Sequence, residues 1–586
     1  MRSTLAILVL FSLAFFAIPG CQTGGGGDDK GNGKVTKATT SSTPPRPLEA
    51  ELPAFPDPVV DPSRFQEPLT PECMLLYTRI QGMDASIPFV FRDLKKSLDE
   101  TNADVKSVID QCRKFLAECP DTPATCSVNA ILARNLMVRN ARHREELENG
   151  RRKELVALGL SAQQISDAWP DVKVGVDAIM ESYFAEIESL CRGVLAECGK
   201  GAPERPSNAR QVAMRVLMDI HNKRYEYAQV RRIGKQLLEE YPRAESISAI
   251  HTAIAESFLH EERFADAAEY LRQVIAERDS DPEYVIYNNH YFDALNGLGE
   301  IDEMEELAHL MRAEYPTRMS GISSDFLLGQ YETWYYNAFF WIGFTRLAQG
   351  DSGGALKAFE DSAKEVDALT SKLEAEGKSL NKVIEIYRVL RTADLIEYLK
   401  NEHGKAPAVD FDLTRKLASA SPVTAAPPPS DSTAGGDAAT ELWATQDKVT
   451  LEDSRGKVVV VVFRRTRDAR SARFLQKMDE LVAEKAKDGL VGVTLGFLVG
   501  NGSADDDALA LDDMRKELDE LGVTHMAAGY DPDRQRQSLF RSLHATVGTA
   551  SFLVFNKKGE HAWYLADPRS MDAALAKRVI ERILEE

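Results

Sequence analysis

Apolar residues recur at three- and four-residue intervals from about Pro68 to Ala418, glycine is sparse and alternating runs are missing, which predicts a long all-helical region. Beyond it the pattern changes. Val458 to Val462 is a run of five valines ending in Phe463, the signature of a strand covered on both faces. A helical pattern over about Ala469–Ala486 precedes the apolar run Leu490–Val499, and a further helix over about Asp506–Leu521 precedes the run Leu539–Val547. A strand over Ser551–Phe555 turns through Asn556-Lys557-Lys558-Gly559 into a strand at His561–Leu565, and a last helix covers Asp572–Leu584. Two stretches have no periodicity at all. Gln22–Asp61 is Gly-rich and then Thr/Ser/Pro-rich, and Ser419–Thr440 is rich in Pro, Ala, Ser and Gly; neither can bury enough apolar surface to offset chain entropy, so both read as extended tethers. At the start, Leu5 to Ile18 forms an apolar run too short for a bilayer core of ~30 Å, which takes ~20 helical residues.

The first of these runs resembles a bacterial lipoprotein signal. Arg2 supplies the positive charge ahead of it, and Ile18-Pro19-Gly20-Cys21 stands where the lipobox would be, with Pro19 an uncommon residue there. The resemblance implies cleavage before Cys21 and a lipid on its thiol; plain secretion, with Cys21 buried or bridged, is the alternative. Gln22 after the cysteine implies sorting to the outer membrane, with the chain held in the cell envelope and the tether following directly. The expected organisation is a signal peptide over 1–20, an anchored tether over 21–65, a helical domain over 66–415, a linker over 416–440 and an α/β domain over 441–586.

Within the helical region, pairs of helices resemble tetratricopeptide repeats. The clearest is Ile254-Ala255-x-x-Phe258 followed by Phe264-x-x-Ala267-x-x-x-Leu271, where small residues let two helices approach and large ones fill the space between pairs. Gly343, Ala355 and Phe359 stand at the same offsets, and Glu240-Tyr241-Pro242 and Glu314-Tyr315-Pro316 mark expected helix ends. Spacings between copies are uneven, so the expectation is a degenerate solenoid. Trp334-Tyr335-Tyr336-x-x-Phe339-Phe340-Trp341 reads either as core between stacked pairs or as an aromatic groove for a peptide or glycan.

The same region carries a second repeat. Cys112-Arg-Lys-Phe-Leu-Ala-Glu-Cys119 and Cys191-Arg-Gly-Val-Leu-Ala-Glu-Cys198 share six of eight positions. With Cys73 and Cys126 there are six cysteines beyond Cys21, an even number in an exported setting where disulfides form. Cysteines seven apart on one helix are separated by about 10.5 Å along its axis, too far to bridge, so Cys112–Cys119 and Cys191–Cys198 are not expected to pair internally. Cys119–Cys126 across the intervening turn is a local option, and the full pairing stays open. No C-x-x-C or nearby histidine spacing supports a metal site.

The order β-α-β-α-β-β-α after residue 441 is the thioredoxin topology. Leu451-Glu-Asp-Ser-Arg-Gly456-Lys457 with the valine run to Phe463, Tyr530-Asp531-Pro532-Asp533, and Ser551–Phe555 resemble landmarks of the redoxin branch of that superfamily, the thiol–disulfide reductases. The fold class expected for the whole chain is thus an all-α repeat domain followed by an α/β thioredoxin-like domain. The resemblance implies a Cys-x-x-Cys at the helix start after the strand, where a helix N-terminus stabilises a thiolate. This chain instead reads Phe463-Arg464-Arg465-Thr466-Arg467-Asp468-Ala469-Arg470-Ser471, with Asp468 and Ser471 at the two cysteine positions and no cysteine anywhere after Cys198. The family's cis-proline falls at about Thr549 or Ala550. Neither a carboxylate nor an alcohol exchanges disulfides, so the domain reads as redox-inactive. Arg464, Arg465, Arg467, Arg470 and Arg473 surround the lost site; they form either an anion pocket with the helix N–H groups or salt bridges with acidic runs such as Asp505-Asp506-Asp507 and Glu517-Asp519-Glu520.

Composition narrows the function classes. The chain has 586 residues, 28% charged, with a formal net charge of −20, which argues against a nucleic-acid partner. No phosphate loop, H-E-x-x-H, G-x-S-x-G or EF-hand loop is present, so no cofactor or metal is expected. The leading expectation is an anchored envelope protein that binds a protein or peptide partner through its helices. A thiol–disulfide or peroxide reductase using the helical-region cysteines, and a purely structural envelope lipoprotein, are the alternatives.

Overall fold

The computed structural model describes residues 69–85, 98–158, 162–198, 201–202, 205–206, 208–243, 247–375, 395–406, 412–414, 448–451, 454–465, 469–497, 516–531, 551–566 and 572–586. Cys21 and both tethers, Asp468, Thr549 and the run 539–547 lie outside them. The chain divides into two compact units, one ending at Glu261 and the other running from Glu262 to Glu586.

The first unit is helical: α1 (Pro71–Ala85), α2 (Leu98–Glu118), α3 (Thr125–Ala157), α4 (Ala162–Glu197), α5 (Asn208–Lys223), α6 (Tyr227–Glu240) and α7 (Ile247–His260). α1 packs on α2 and α3 on α4, giving two hairpins in sequence order. Each octapeptide repeat ends the second helix of one hairpin. Cys112, Phe115 and Cys119, and likewise Cys191, Val194 and Cys198, recur at three- and four-residue steps on one face, and all six are buried. The structure bridges Cys73 to Cys119 and Cys126 to Cys198, with Cα–Cα distances of 6.0 and 6.1 Å. Each bridge therefore joins the start of a hairpin's first helix to the end of its second, and the local option Cys119–Cys126 is not adopted. Cys112 and Cys191, both candidates for bridging, are buried free thiols at matching places in the two copies. The duplication extends from an eight-residue motif to a whole stapled hairpin.

The second unit begins with α8 (Phe264–Glu277), α9 (Tyr284–Leu298), α10 (Ile301–Met319), α11 (Asp325–Ala348) and α12 (Ser352–Ala375). α10 packs on α11 and α11 on α12. A Cβ at Gly343 would lie 2.6 Å from the Phe359 ring, so this pair is close because position 343 has no side chain. The motif Glu240-Tyr241-Pro242 does end α6, but α10 runs past Pro316 to Met319. Its last turn survives the missing proline N–H because Tyr315 is buried edge-on against Tyr331 at 4.9 Å, and Arg318 lies 3.8 Å over the Tyr284 ring while pairing with Glu314 at 2.9 Å.

After these helices comes a small mixed sheet of five strands: β1 (Val458–Arg465), β2 (Leu490–Phe497), β3 (Ala527–Asp531), β4 (Ser551–Phe555) and β5 (His561–Ala566), in the order β3-β2-β1-β4-β5. β1 runs parallel to β2 and β2 to β3, whereas β4 is antiparallel to β1 and β5 to β4. The valine run is the central strand, every residue from Val458 to Phe463 being buried. β3 is one strand more than the apolar pattern predicts. It is short, carries Gly529 and, among the described residues, pairs with β2 alone, so it needs no long apolar run. α13 (Ala469–Lys485) follows β1, residues 516–521 are helical, and α14 (Ala573–Glu585) ends the chain. A helical layer with a mixed α/β sheet is compatible with the fold class expected.

The sheet and the helices before it share one core. Trp563 of β5, fully buried, lies 5.6 Å from Phe344 of α11, and Phe344 in turn meets Phe340 and Trp341 at 5.8 and 5.6 Å. Trp341 and Trp334 pack on Phe292 of α9 at 4.6 and 6.0 Å. The aromatic segment of α11 is thus packed between α9 and the sheet.

Candidate functional site

The loop after β1 and the start of α13 are where a redoxin would carry its thiols. Ser471 lies in the first turn of α13 and is buried. Arg464, at the end of the central strand, is 1% exposed in its side chain and places Nη2 2.5 Å from Glu517 Oε2, a member of one of the acidic runs. Arg465 closes the strand opposite Phe497, and Arg470 stands in the first turn of α13. Arg473 approaches Glu262 at 3.6 Å, and Lys477 one turn on donates to the same carboxylate at 2.9 Å. Arg467 and Asp468 lie outside the described residues. Arg464 and Arg473 therefore point in different directions: the first is spent inside the fold and the second faces the turn at Glu262. Arg464 is held by a carboxylate whose removal would leave a buried, uncompensated charge.

One residue that matters here went unread in the sequence. Asp479 is 4% exposed and accepts hydrogen bonds from the backbone N–H groups of Thr524, His525 and Met526 at 3.1, 2.8 and 2.9 Å, with His525 Nδ1 at 3.0 Å. It anchors the turn that leads into β3. The signal was available: Leu475, Met478, Asp479 and Val482 fall on one buried helical face, and a carboxylate in such a stripe requires several donors.

Three helix connections dock this α/β part on the preceding helices. Left-handed residues recur in the turns before α6, α8, α10 and α12, at Tyr225 (φ 59°), Glu262 (φ 56°), Gly299 (φ 72°) and Gly350 (φ 89°). The last three meet α13 and α14. Glu262 takes Lys477 and Arg473 as above. A Cβ at Gly299 would be 3.0 Å from the Ala574 carbonyl oxygen, and one at Gly350 would be 2.7 Å from Arg582 Nη1. At these two turns glycine is required twice, by its backbone angle and by the close approach. Around them Asn296 Nδ2 donates to Asp572 Oδ1 at 2.7 Å in a buried contact, and Arg582 Nε donates to the Ala348 carbonyl at 3.1 Å. Further along, Gly404 N–H donates to the His561 carbonyl at 2.8 Å and His561 N–H to Lys405 at 2.9 Å.

The thiols in the first unit are chemically quiet. Burial first, then the Asp84 charge, pushes the Cys112 thiol up to about 12; burial and then Glu188 do the same to Cys191. The reactive form of cysteine is the thiolate, so neither residue offers a nucleophile near neutral pH.

The chain matches no family model and no curated protein. Among solved structures it is similar to a thiol:disulfide interchange protein of the thioredoxin family from Chlorobium tepidum TLS (15% identity, 24% of this chain and 93% of that one, TM-score 0.20). Similar too are the exposed lipoprotein thioredoxin Etrx1 of Streptococcus pneumoniae strain TIGR4 (18%, 25% and 97%, 0.20) and peroxiredoxin Q of Xanthomonas campestris (16%, 24% and 90%, 0.17). Likenesses this weak decide nothing by themselves. The order and directions of the five strands describe the sheet without them.

Proposed function

We propose that this chain is a lipid-anchored binding scaffold of the bacterial cell envelope, with a redox-inactive thioredoxin-like module built onto its helical part. In this reading signal residues 1–20 are removed, Cys21 carries the lipid, and the helix pairs form a tetratricopeptide-like array that holds a protein or peptide partner. Gln22 after the lipid site supports the outer membrane as the place of the anchor. The observation that carries the reading is the use to which α13 and α14 are put. In a reductase the start of the first of these helices is kept open for a disulfide substrate. Here the module has no cysteine, Arg464 is committed to Glu517, and the two helices are spent on the turns at Glu262, Gly299 and Gly350. The reductase alternative requires a reactive thiol from elsewhere, and the free thiols of the described residues are buried and hard to ionise.

Labelling of growing cells with a fatty-acid analogue tests the anchor: the chain takes up label and sediments with membranes, and Cys21→Ser abolishes both. A chain that stays in the soluble fraction without label sinks that half of the reading. Cross-linking in intact envelopes tests the other half, a discrete protein adduct being expected and the absence of any adduct being fatal to the scaffold role.

A further inference from the structure

The hairpin of α3 and α4 is longer than the helices that cover it. α3 has 33 residues and α4 has 36, against 21 in α2 and 16 in α5. Arg113 of α2 reaches α4 at Glu186, 2.9 Å away, and Arg224 after α5 pairs with Glu181 and, at 2.7 Å, with Glu188. Farther out, α3 and α4 hold each other: Arg144 pairs with Asp177 at 2.5 Å, and the Arg152 guanidinium lies 4.9 Å over the Trp169 ring. From residue 141 to residue 175 no described residue is buried, although Leu147, Leu155, Ile165, Trp169 and Val172 fall there. Of the eight large apolar residues exposed among the described ones, four are on this hairpin: Val156 (59%), Leu158 (76%), Val174 (70%) and Ile179 (41%). Helices draw most of their stability from packing, and two alone cannot enclose an apolar stripe. The outer hairpin is therefore a face that something covers.

The charge order along α3 identifies the cover. Glu145, Glu146, Asn149, Arg152, Lys153 and Val156 are all exposed and recur at three- and four-residue steps, so they share one side of the helix. Acids come first on that side and bases two turns later, with Asn149 midway. A second α3 laid antiparallel about Asn149 sets Glu145 level with Lys153 and Glu146 level with Arg152, and the two-fold symmetry repeats both pairings. A parallel copy would set like charge on like. Asn149 on the axis meets its own copy, and an amide both donates and accepts. The same operation places the apolar ends. Residue 144 is level with 177 across the hairpin and 152 with 169, so Ile179 is level with residue 142 of its own α3. Residue 142 is in turn level with Val156 of the second copy, so the exposed tip of one hairpin arrives at Ile179 of the other. A surface that complements itself in this way is what a two-fold interface requires.

We propose that the outer hairpin is a dimerisation arm: two copies of the chain pack α3 against α3 antiparallel, Asn149 of each on the two-fold axis, with the acids of one facing the bases of the other. The proposal goes beyond the scaffold reading and is tested on the purified chain, where no envelope partner is present. Analytical ultracentrifugation of the chain from Gln22 onward should show a monomer–dimer equilibrium that shifts toward monomer in about 1 M NaCl, where exposed charges are screened. Arg152→Glu with Lys153→Glu in one chain, and Glu145→Lys with Glu146→Lys in another, each weaken the dimer about tenfold or more. Mixing the two reversed chains restores association, a result that misfolding cannot imitate. Asn149→Cys yields a disulfide-linked dimer under mild oxidation, whereas Glu154→Cys, whose two copies stand about 15 Å apart along the helices, does not. The proposal is overturned by a chain that stays monomeric at ~100 µM, or by reversed chains that associate as well as the native one or fail to rescue each other. A monomer that sediments with phosphatidylglycerol vesicles, and ceases to do so on Leu158→Glu, would overturn it in favour of a lipid surface.

Discussion

Residues 71–261 hold long helices together with sulfur, tying the start of one helix to the end of the next at Cys73–Cys119 and Cys126–Cys198. Residues 262–586 contain no cysteine and hold their helices against a sheet, through Trp563, Phe344 and the turns at 262, 299 and 350. The part built around a sheet has no cysteine, and the helical part places four of its six described cysteines in cross-links. The contrast predicts that the two helical regions respond differently to mutation: cross-links act on the unfolded ensemble, whereas a shared core acts on the folded one.

Reduction should break the comparison most severely. The bridges close loops of sequence separation 46 and 72, worth about 4 kcal/mol each on a chain-entropy estimate, so losing both removes about as much as a small domain's whole stability. Circular dichroism with and without dithiothreitol should show residues 71–198 melting early under reduction and the C-terminal sheet unchanged. Trp563→Ala comes next, at about 3–5 kcal/mol for an emptied aromatic site. Because Trp563 touches α11 as well as its own sheet, hydrogen exchange should accelerate in α11 and β4 together; acceleration in the sheet alone would separate what the core joins.

Asn296→Ala removes a buried donor from Asp572 and should cost about 1–2 kcal/mol, read as a loosening of α14 before the rest of the unit. The smallest effect is a pH dependence. Burial, and after it the Arg582 charge, holds His403 below the ordinary imidazole pKa. The unfolded chain therefore binds the proton more readily than the folded one. Stability should be level above about pH 6.5 and decline as the pH falls below it, and His403→Gln should flatten that decline in a melting-temperature series.

Much of the α/β part was legible because its signals are local. Five valines in a row admit few alternatives to a central strand, and Ser551–Phe555 has the limits that the pattern gave it. β3 was not legible: an edge strand covered on one side, with a glycine inside, leaves no run to detect, and only its Tyr530-Asp531 end had stood out. Pro316 misled because a proline's local penalty was outweighed by contacts of Tyr315 and Arg318 with residues far off in sequence. The cysteine partners were hidden for a similar reason. Helix geometry forbids a bridge within each octapeptide, yet which of the remaining cysteines lies opposite depends on how hairpins pack. At the candidate site the missing sulfur could be read directly, but the burial of Arg464 against Glu517 could not, since five arginines in ten residues look like surface until the strand is placed at the centre of a sheet.

The most direct measurement is dithiol-driven insulin reduction by the complete chain, since the shared core argues against cutting the module away from its helices. The account predicts a rate indistinguishable from dithiothreitol alone, with or without Cys112→Ser and Cys191→Ser. Turnover above that background, lost on substitution of either cysteine, would mean that electrons do pass through this molecule and would contradict it.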